Sequence, residues 1–329
     1  MTHLPLHGGD VAAAQARWGQ PAAGWLDLST GINPWPYPLP DLAPECWRRL
    51  PDSGAAQSLL DAASRRWTIP ATARVVAGTG SQALIQALPR ITETTDAAIL
   101  APTYGEHARA WTAAGHAVRE VAGLDDIGEA RVVVAVNPNN PDGRVIAPQR
   151  LLELAARLAA RGGLLIVDEA FCDERPELSL TAKVGPGLVV LRSFGKFFGL
   201  AGLRLGFAVA EERMAARLAD HLGPWPVSGP AFAIGAAALA DQAWTEATIT
   251  RLNDAAGRLD AILKGTGLEV LGGTCLFRLA RHDRAGEVYE RLGRAGILVR
   301  AFAFRADILR FGLPGSPAEE ARLERALAG

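Results

Sequence analysis

From residue 55 onward, short and almost wholly apolar runs alternate with amphipathic stretches along most of this chain. Residues 97–100, 131–136 and 164–167 have the composition of strands covered on both faces. Residues 55–67, 81–88, 106–114 and 148–161 read as helices. Residues 74–77, 117–121, 187–191 and 204–210 supply further strands. Repeated strand and helix alternation predicts an α/β fold with a doubly wound, mostly parallel sheet.

The texture changes after Ala210. A helix is expected at 212–221, Gly223-Pro224-Trp225-Pro226 breaks it, and 231–263 supports long helices. Strands at 268–271, 275–279, 297–300 and 308–311, with helices at 285–292 and 318–327, describe a smaller α+β C-terminal domain. The first fifty residues are rich in Pro, Gly and Trp, with little periodicity before residue 42, and read as a draped arm. The expected division is an N-terminal arm over 1–45 packing with the small domain, a large domain over 46–222 and a small domain over 223–329.

Charge narrows the range of partners. Lys and Arg number 34 against 35 Asp and Glu, a net charge of −1, which gives no bulk attraction to nucleic acid or an anionic membrane. Cys46, Cys172 and Cys275 stand far apart with no Cys-x-x-Cys pair, so neither a zinc site nor a disulfide framework is implied, and a reducing cytosol fits. The stretch Met1 to Asp10 lacks the basic start and apolar core of a secretory signal. The most apolar run, 231–240, is too short for the roughly 20 residues of a membrane span. A soluble cytoplasmic protein is the expectation.

The candidate chemistry centres on Arg192-Ser193-Phe194-Gly195-Lys196-Phe197-Phe198-Gly199-Leu200-Ala201-Gly202-Leu203-Arg204, one lysine among apolar residues and glycines with an arginine eight positions later. An amine kept among apolar neighbours is suited to nucleophilic or Schiff-base chemistry; the alternative is a lysine in a solvated hairpin. Gly78-Thr79-Gly80-Ser81-Gln82-Ala83, between a strand and a helix, suits an anion at a helix start. It also satisfies the Gly-x-Gly-x-x-Ala dinucleotide pattern, so an NAD-dependent oxidoreductase must be weighed. Against that, Ala101-Pro102-Thr103 stands where the acidic ribose partner is expected. Tyr104 after the next strand could be core packing or could stack on a planar ring. Asn137-Pro138-Asn139-Asn140-Pro141-Asp142-Gly143 is either a turn or part of a ligand crevice. Asp168 and Glu169 end an apolar strand, a place for a cap or a ligand, and no His or further Asp at ligand spacing supports a metal. Arg300 and Arg310 each interrupt an apolar strand, either snorkelling to solvent or holding a carboxylate or phosphate.

The lysine segment resembles that of fold-type I pyridoxal-phosphate enzymes, in which Ser-x-x-Lys precedes Gly-Leu-Ala-Gly-Leu-Arg-x-Gly. The resemblance extends through the other motifs to nearly the whole chain. It implies the pyridoxal-phosphate-dependent transferase fold of the class I/II aminotransferase superfamily, with pyridoxal 5′-phosphate as cofactor. It assigns Lys196 to the covalent link with the cofactor and Asp168 to the pyridine nitrogen. Gly80, Ser81, Gln82, Ser193 and Arg204 fall to the phosphate, Tyr104 to stacking on the ring, and Asn140 to the 3-oxygen. Within the superfamily, His7-Gly8-Gly9-Asp10, Ile32-Asn33-Pro34, Asp168-Glu169-Ala170-Phe171 and Pro224-Trp225-Pro226-Val227-Ser228 are similar to threonine-phosphate decarboxylases of cobalamin synthesis, which themselves look like histidinol-phosphate aminotransferases.

By that likeness His7, Asn33, Arg300 and Arg310 bind substrate, Arg310 taking the carboxylate and Arg300 a second anion. The reaction implied is decarboxylation of threonine phosphate to (R)-1-amino-2-propanol phosphate, with transamination of a phosphorylated amino compound such as histidinol phosphate as the alternative. A homodimer with shared active sites is also implied. Gly195, Phe171 and Leu50 depart from the family pattern, where a hydroxyl residue, a tyrosine and a tyrosine are common.

Overall fold

The computed structural model describes residues 7–329; the first six residues of the expected arm lie outside the described residues. In chain order the strands are β1 (Leu26–Asp27), β2 (Ala73–Thr79), β3 (Asp96–Leu100), β4 (Ala117–Val121), β5 (Val132–Val136), β6 (Leu164–Asp168) and β7 (Leu188–Ser193). They continue as β8 (Leu205–Glu211), β9 (Glu269–Thr274), β10 (Phe277–Arg281), β11 (Ile297–Leu298), β12 (Arg300–Phe302) and β13 (Arg305–Gly312). The chain divides into two compact units. One comprises Tyr37–Asn140 and Arg144–Trp244; the other holds the described residues up to Pro36, together with Pro141–Gly143 and Thr245–Gly329.

The larger unit is built on a seven-stranded sheet in the order β2-β8-β7-β6-β5-β3-β4. Its strands are parallel except β8, which runs against both neighbours because the chain turns back from β7 without a crossover helix. β5 and β6 are buried at every position, as central strands covered on both faces must be, whereas β4 lies at the edge and exposes Ala117, Arg119 and Glu120. On one face, the helices Gly80–Ile91, Glu106–Ala113 and Glu212–Leu222 bury Leu84, Leu88, Trp111 and Leu218 against Val132, Val134 and Ile166. Truncating a side chain as large and buried as Trp111 would cost roughly 3–5 kcal/mol. The helices thus hold the strand ends in fixed positions.

The smaller unit contains the antiparallel sheet β12-β13-β10-β9 and the parallel pair β1-β11. The arm is more regular than its sequence suggested. A helix at Val11–Trp18 starts where the Asp10 carboxylate accepts a hydrogen bond from the amide of Ala13. That helix is anchored by Trp18, which donates to Glu290 at 3.0 Å and meets the Tyr289 ring edge-on at 5.4 Å. Tertiary packing creates this helix, so periodicity could not reveal it.

The division between the units falls at Trp244, later than the boundary expected after residue 222. The helix Gly229–Ala240 belongs to the larger unit because it lies on the helix Ser53–Arg66: a Cβ at Gly235 would stand 2.8 Å from Leu59. No helix among the described residues is long and apolar enough to cross a membrane.

Candidate active site

The parallel strands of the larger unit bring their carboxyl ends to one edge of the sheet, where the loops of an open α/β sheet form a crevice. Thr79 and Gly80 stand at the end of β2, Tyr104 beyond β3, Asn140 beyond β5, Asp168 at the end of β6, and Ser193 and Lys196 at and beyond the end of β7. β8 runs the other way, so its beginning reaches this edge and places Arg204 there. All the residues assigned to the cofactor are therefore at one margin of one sheet.

Register makes an anion cradle at the β2–β8–β7 corner. Thr79 pairs with Leu205, next to Arg204, and Gly206 pairs with Ser193. Gly80 opens the helix Gly80–Ile91 with φ +75°, and a Cβ there would lie 2.6 Å from the Arg204 guanidinium. A Cβ at Gly206 would fall 2.2 Å from the amide nitrogen of Ser81. Thr79 does not cap this helix; its hydroxyl donates to the carbonyl of Pro226. Orphan amides at the helix start, the helix dipole and the fork of Arg204 thus converge on one point. Arg204 itself adopts the left-handed conformation at φ +54°, a strained geometry for a residue with a side chain.

Asp168 is 3 % exposed. One carboxylate oxygen accepts from the amide of Ala170 at 3.0 Å, and the other lies 2.9 Å from Nε2 of the buried His107. His107 went unnoticed in the sequence. The signal available was a polar residue on the buried face that also carries Ala110 and Trp111.

Tyr104 donates its hydroxyl to Gln82 at 3.0 Å, and the Gln82 amide donates to Glu106 at 3.0 Å. Burial first, and the carboxylates of Glu106 and Asp168 next, push the Tyr104 hydroxyl up to about 12, so it remains a neutral donor. The side chain of Gln82 is therefore engaged in orienting Tyr104, leaving its backbone for an anion.

The amide-rich turn divides its work. Asn137 exchanges hydrogen bonds with Ile146, and Asn139 bonds Thr103 and the carbonyl of Pro102; both are buried. Asn140 is only half-buried. Lys196 lies in the short helix Phe194–Phe197, half-buried between two buried phenylalanines. Gly195 has a physical reason to be glycine, since a Cβ there would meet the backbone of Ala201 at 2.7 Å. Phe171 is buried and brings no hydroxyl.

The residues assigned to substrate are in the smaller unit. Arg300 of β12 stands directly opposite Arg310 of β13, so the two side chains share one face of the sheet. Arg310 is 7 % exposed and donates to the carbonyl of Ser29 at 2.8 Å. The Ser29 hydroxyl is held by Asp27 at 2.5 Å and accepts from the amide of Gly9 at 2.7 Å. Burial lowers the Arg310 pKa to about 10; Arg300 adds to the shift, and Asp27 opposes it without cancelling it. A cavity beside Arg300 is lined by His7, Asp10, Ser29 and Tyr289. Asn33 is buried and accepts from the amide of Trp35 at 2.9 Å, the geometry of a turn.

An anion cradle, a buried carboxylate and a half-buried lysine share one sheet margin, an arrangement suited to an enzyme with a phosphorylated, ring-nitrogen cofactor. The donor set fits pyridoxal phosphate. Gly80 leaves the room that Arg204 occupies beside the helix start, and Asp168 offers a buried acceptor for a protonated ring nitrogen.

The chain belongs to the aminotransferase class I and II family, whose sequence profile matches residues 42–327. A threonine-phosphate decarboxylase of Sinorhizobium sp is 48 % identical over 98 % of this chain and 97 % of its own length. Another from Pseudomonas aeruginosa is 46 % identical, again over 98 % and 97 %. In fold, the chain is similar to the histidinol-phosphate aminotransferase from Sinorhizobium meliloti in complex with pyridoxal-5′-phosphate, with a TM-score of 0.82, 22 % identity and coverage of 99 % of this chain and 96 % of that one.

Proposed function

We propose that this protein decarboxylates L-threonine O-3-phosphate with pyridoxal phosphate, giving CO₂ and (R)-1-amino-2-propanol phosphate, and so serves cobalamin synthesis in the cytoplasm. The observation that carries the reading is the cross-strand pair Arg300 and Arg310. Two like charges directly opposite each other repel, and an anion between or beside them converts that repulsion to attraction. A substrate with both a carboxylate and a phosphate meets that requirement. The two decarboxylases at 46 and 48 % identity support the same substrate.

When bound, pyridoxal phosphate supplies an electron sink for the bond broken at the substrate Cα. Lys196 would hold the cofactor covalently, Asp168 would keep the proton on its ring nitrogen, and Gly80, Ser81, Ser193 and Arg204 would hold its phosphate. Tyr104 would flank the ring, with Gln82 fixing its orientation, and Asn140 would bond the 3-oxygen. Arg310 would grip the substrate carboxylate, while Arg300, with His7 and Asn33, would take its phosphate. By holding both anionic ends of the substrate, Arg310 and Arg300 would orient its carboxylate for loss. With CO₂ lost and the electron pair left at Cα, Lys196 or water would deliver one proton there.

The family likeness also supports a homodimer. Trp47, Leu50 and Trp225 expose large apolar side chains. Trp47 lies in the short helix Glu45–Arg48, next to the start of the helix Gly229–Ala240. Gel filtration should give twice the mass of one chain.

The fold likeness to a histidinol-phosphate aminotransferase favours a second reading, transamination of a phosphorylated amino compound. Purified enzyme should absorb in the visible and release CO₂ from threonine phosphate with no oxo acid present. Faster reaction of histidinol phosphate with 2-oxoglutarate would establish the second reading instead. NAD binding that survives Lys196→Ala would favour the oxidoreductase.

A further inference from the structure

Behind the candidate site, on the opposite face of the sheet, lies a buried ionic cluster. Along a strand successive side chains alternate faces, and residues directly opposite on paired strands share a face. Asp168 pairs with Leu191, so Asp168 and Ser193 point to one face, and Glu169 and Arg192 to the other. The Glu169 amide donates to the carbonyl of Leu191 at 2.9 Å, carrying the β6–β7 ladder one residue past Asp168.

Every polar atom of the Glu169 carboxylate is engaged. One oxygen accepts from Arg192 at 2.9 Å and from the Ser179 hydroxyl at 2.6 Å, and the other accepts from the amide of Leu180 at 2.7 Å. The second arm of Arg192 donates to Asp173 at 2.7 Å, and Arg66 lies 3.8 Å from the same carboxylate. The Arg192 guanidinium sits 5.2 Å over the ring of Trp67, whose carbonyl accepts from Thr181 at 3.2 Å. Glu169 is fully buried and Arg192 is 3 % exposed.

Stability alone is a poor reason for such a cluster, because apolar residues of similar volume commonly serve as well or better. Directional bonds do something apolar packing does not: they fix a separation. We propose that Glu169 and Arg192 are positioning residues that set, from the back of the sheet, the spacing between Asp168 and the Ser193–Lys196 segment. The consequence for catalysis rests on the cofactor reading above; the geometric role does not. Asp168 must meet one end of the cofactor while Ser193 and Lys196 meet others, and a shift of a few tenths of an ångström between β6 and β7 misaligns all three.

The experiment compares the holoenzyme with three variants: Glu169→Gln, Arg192→Lys and the apolar double replacement Glu169→Leu/Arg192→Met. Each is titrated with pyridoxal phosphate by absorbance and assayed for kcat and KM. Amide hydrogen exchange over 168–173 and 190–196 is measured on the cofactor-free proteins. The expected result is that the double replacement stays folded, weakens cofactor binding at least tenfold and lowers kcat with little change in substrate KM. Amide exchange over both segments should be faster, and Arg192→Lys should recover part of the loss.

A double replacement that binds the cofactor with unchanged affinity and leaves amide exchange unaltered would overturn the proposal. If the double replacement does not fold, Glu169→Gln decides by the same two readouts, and wild-type values there overturn it equally. A wild-type protein that fails to bind pyridoxal phosphate would defeat the cofactor reading and leave hydrogen exchange to decide the positioning role.

Discussion

Arg192 in β7 and Arg310 in β13 are both almost fully buried, yet their surroundings differ in kind. Burial lowers the pKa of each. At Arg192, Asp173 and Glu169 more than reverse that effect and raise it above the ordinary arginine value. At Arg310 the neighbouring Arg300 adds to burial, and the pKa falls to about 10. One arginine has its counter-charges built into the chain and locks two strands together. The other is held at a cost that a bound anion would offset. The two differ in balance: Asp173 and Glu169 outweigh burial at Arg192, whereas Asp27 does not outweigh burial and Arg300 at Arg310.

The contrast can be broken most decisively at Arg310. Arg310→Met should reduce kcat/KM for threonine phosphate by about 10² to 10³-fold, within the range for truncating one partner of a buried charge pair, as steady-state assays would show. The melting temperature of the ligand-free variant should hold steady or rise. Arg192→Met should do the opposite to stability, costing about 3–5 kcal/mol by leaving Glu169 and Asp173 without their shared cation, which denaturant unfolding would register.

Arg300→Gln should have an intermediate effect. The preference for threonine phosphate over threonine should fall about tenfold, the worth of one charge-assisted hydrogen bond. Removing its like charge should also let the Arg310 pKa rise.

The smallest effect is on pH dependence. Because the Arg310 pKa is depressed, the folded protein binds fewer protons than the unfolded chain from about pH 10 up to the ordinary arginine range. The burial cost is thus fully present below pH 10 and fades as pH rises beyond it. Substrate KM should climb through the same interval as the cation is lost, which a KM profile from pH 8 to 10.5 would reveal.

Much of the larger unit could be read from the chain. Parallel strands buried on both faces leave unbroken apolar runs, and the turn chemistry after each run marks the strand end where a site forms. The positions of Asp168 and Lys196 at the strand ends are legible for that reason. What hid was everything that depends on a distant partner.

β1 is two residues long and exists only because Leu26 and Asp27 pair with Ile297 and Leu298. His107 looks like a core histidine until β6 sets Asp168 against it. The family resemblance gives Gln82 to the phosphate, whereas its side chain bonds Tyr104 and Glu106. Arg300 and Arg310 were each visible, but their facing register depends on an irregularity in the β12–β13 pairing after Ala301. The boundary at Trp244 escaped because an alanine-rich helix is apolar on every side and does not say which neighbour it packs on.

The central claim is that Arg310 and Arg300 form a site for a doubly anionic substrate, and that filling it offsets a charge held at a cost. Thermal unfolding of wild type and Arg310→Met, each with increasing threonine phosphate at neutral pH, tests this most directly. The account predicts that the ligand raises the melting temperature of the wild type by several degrees and leaves the variant unmoved. Equal stabilisation of both proteins would contradict it.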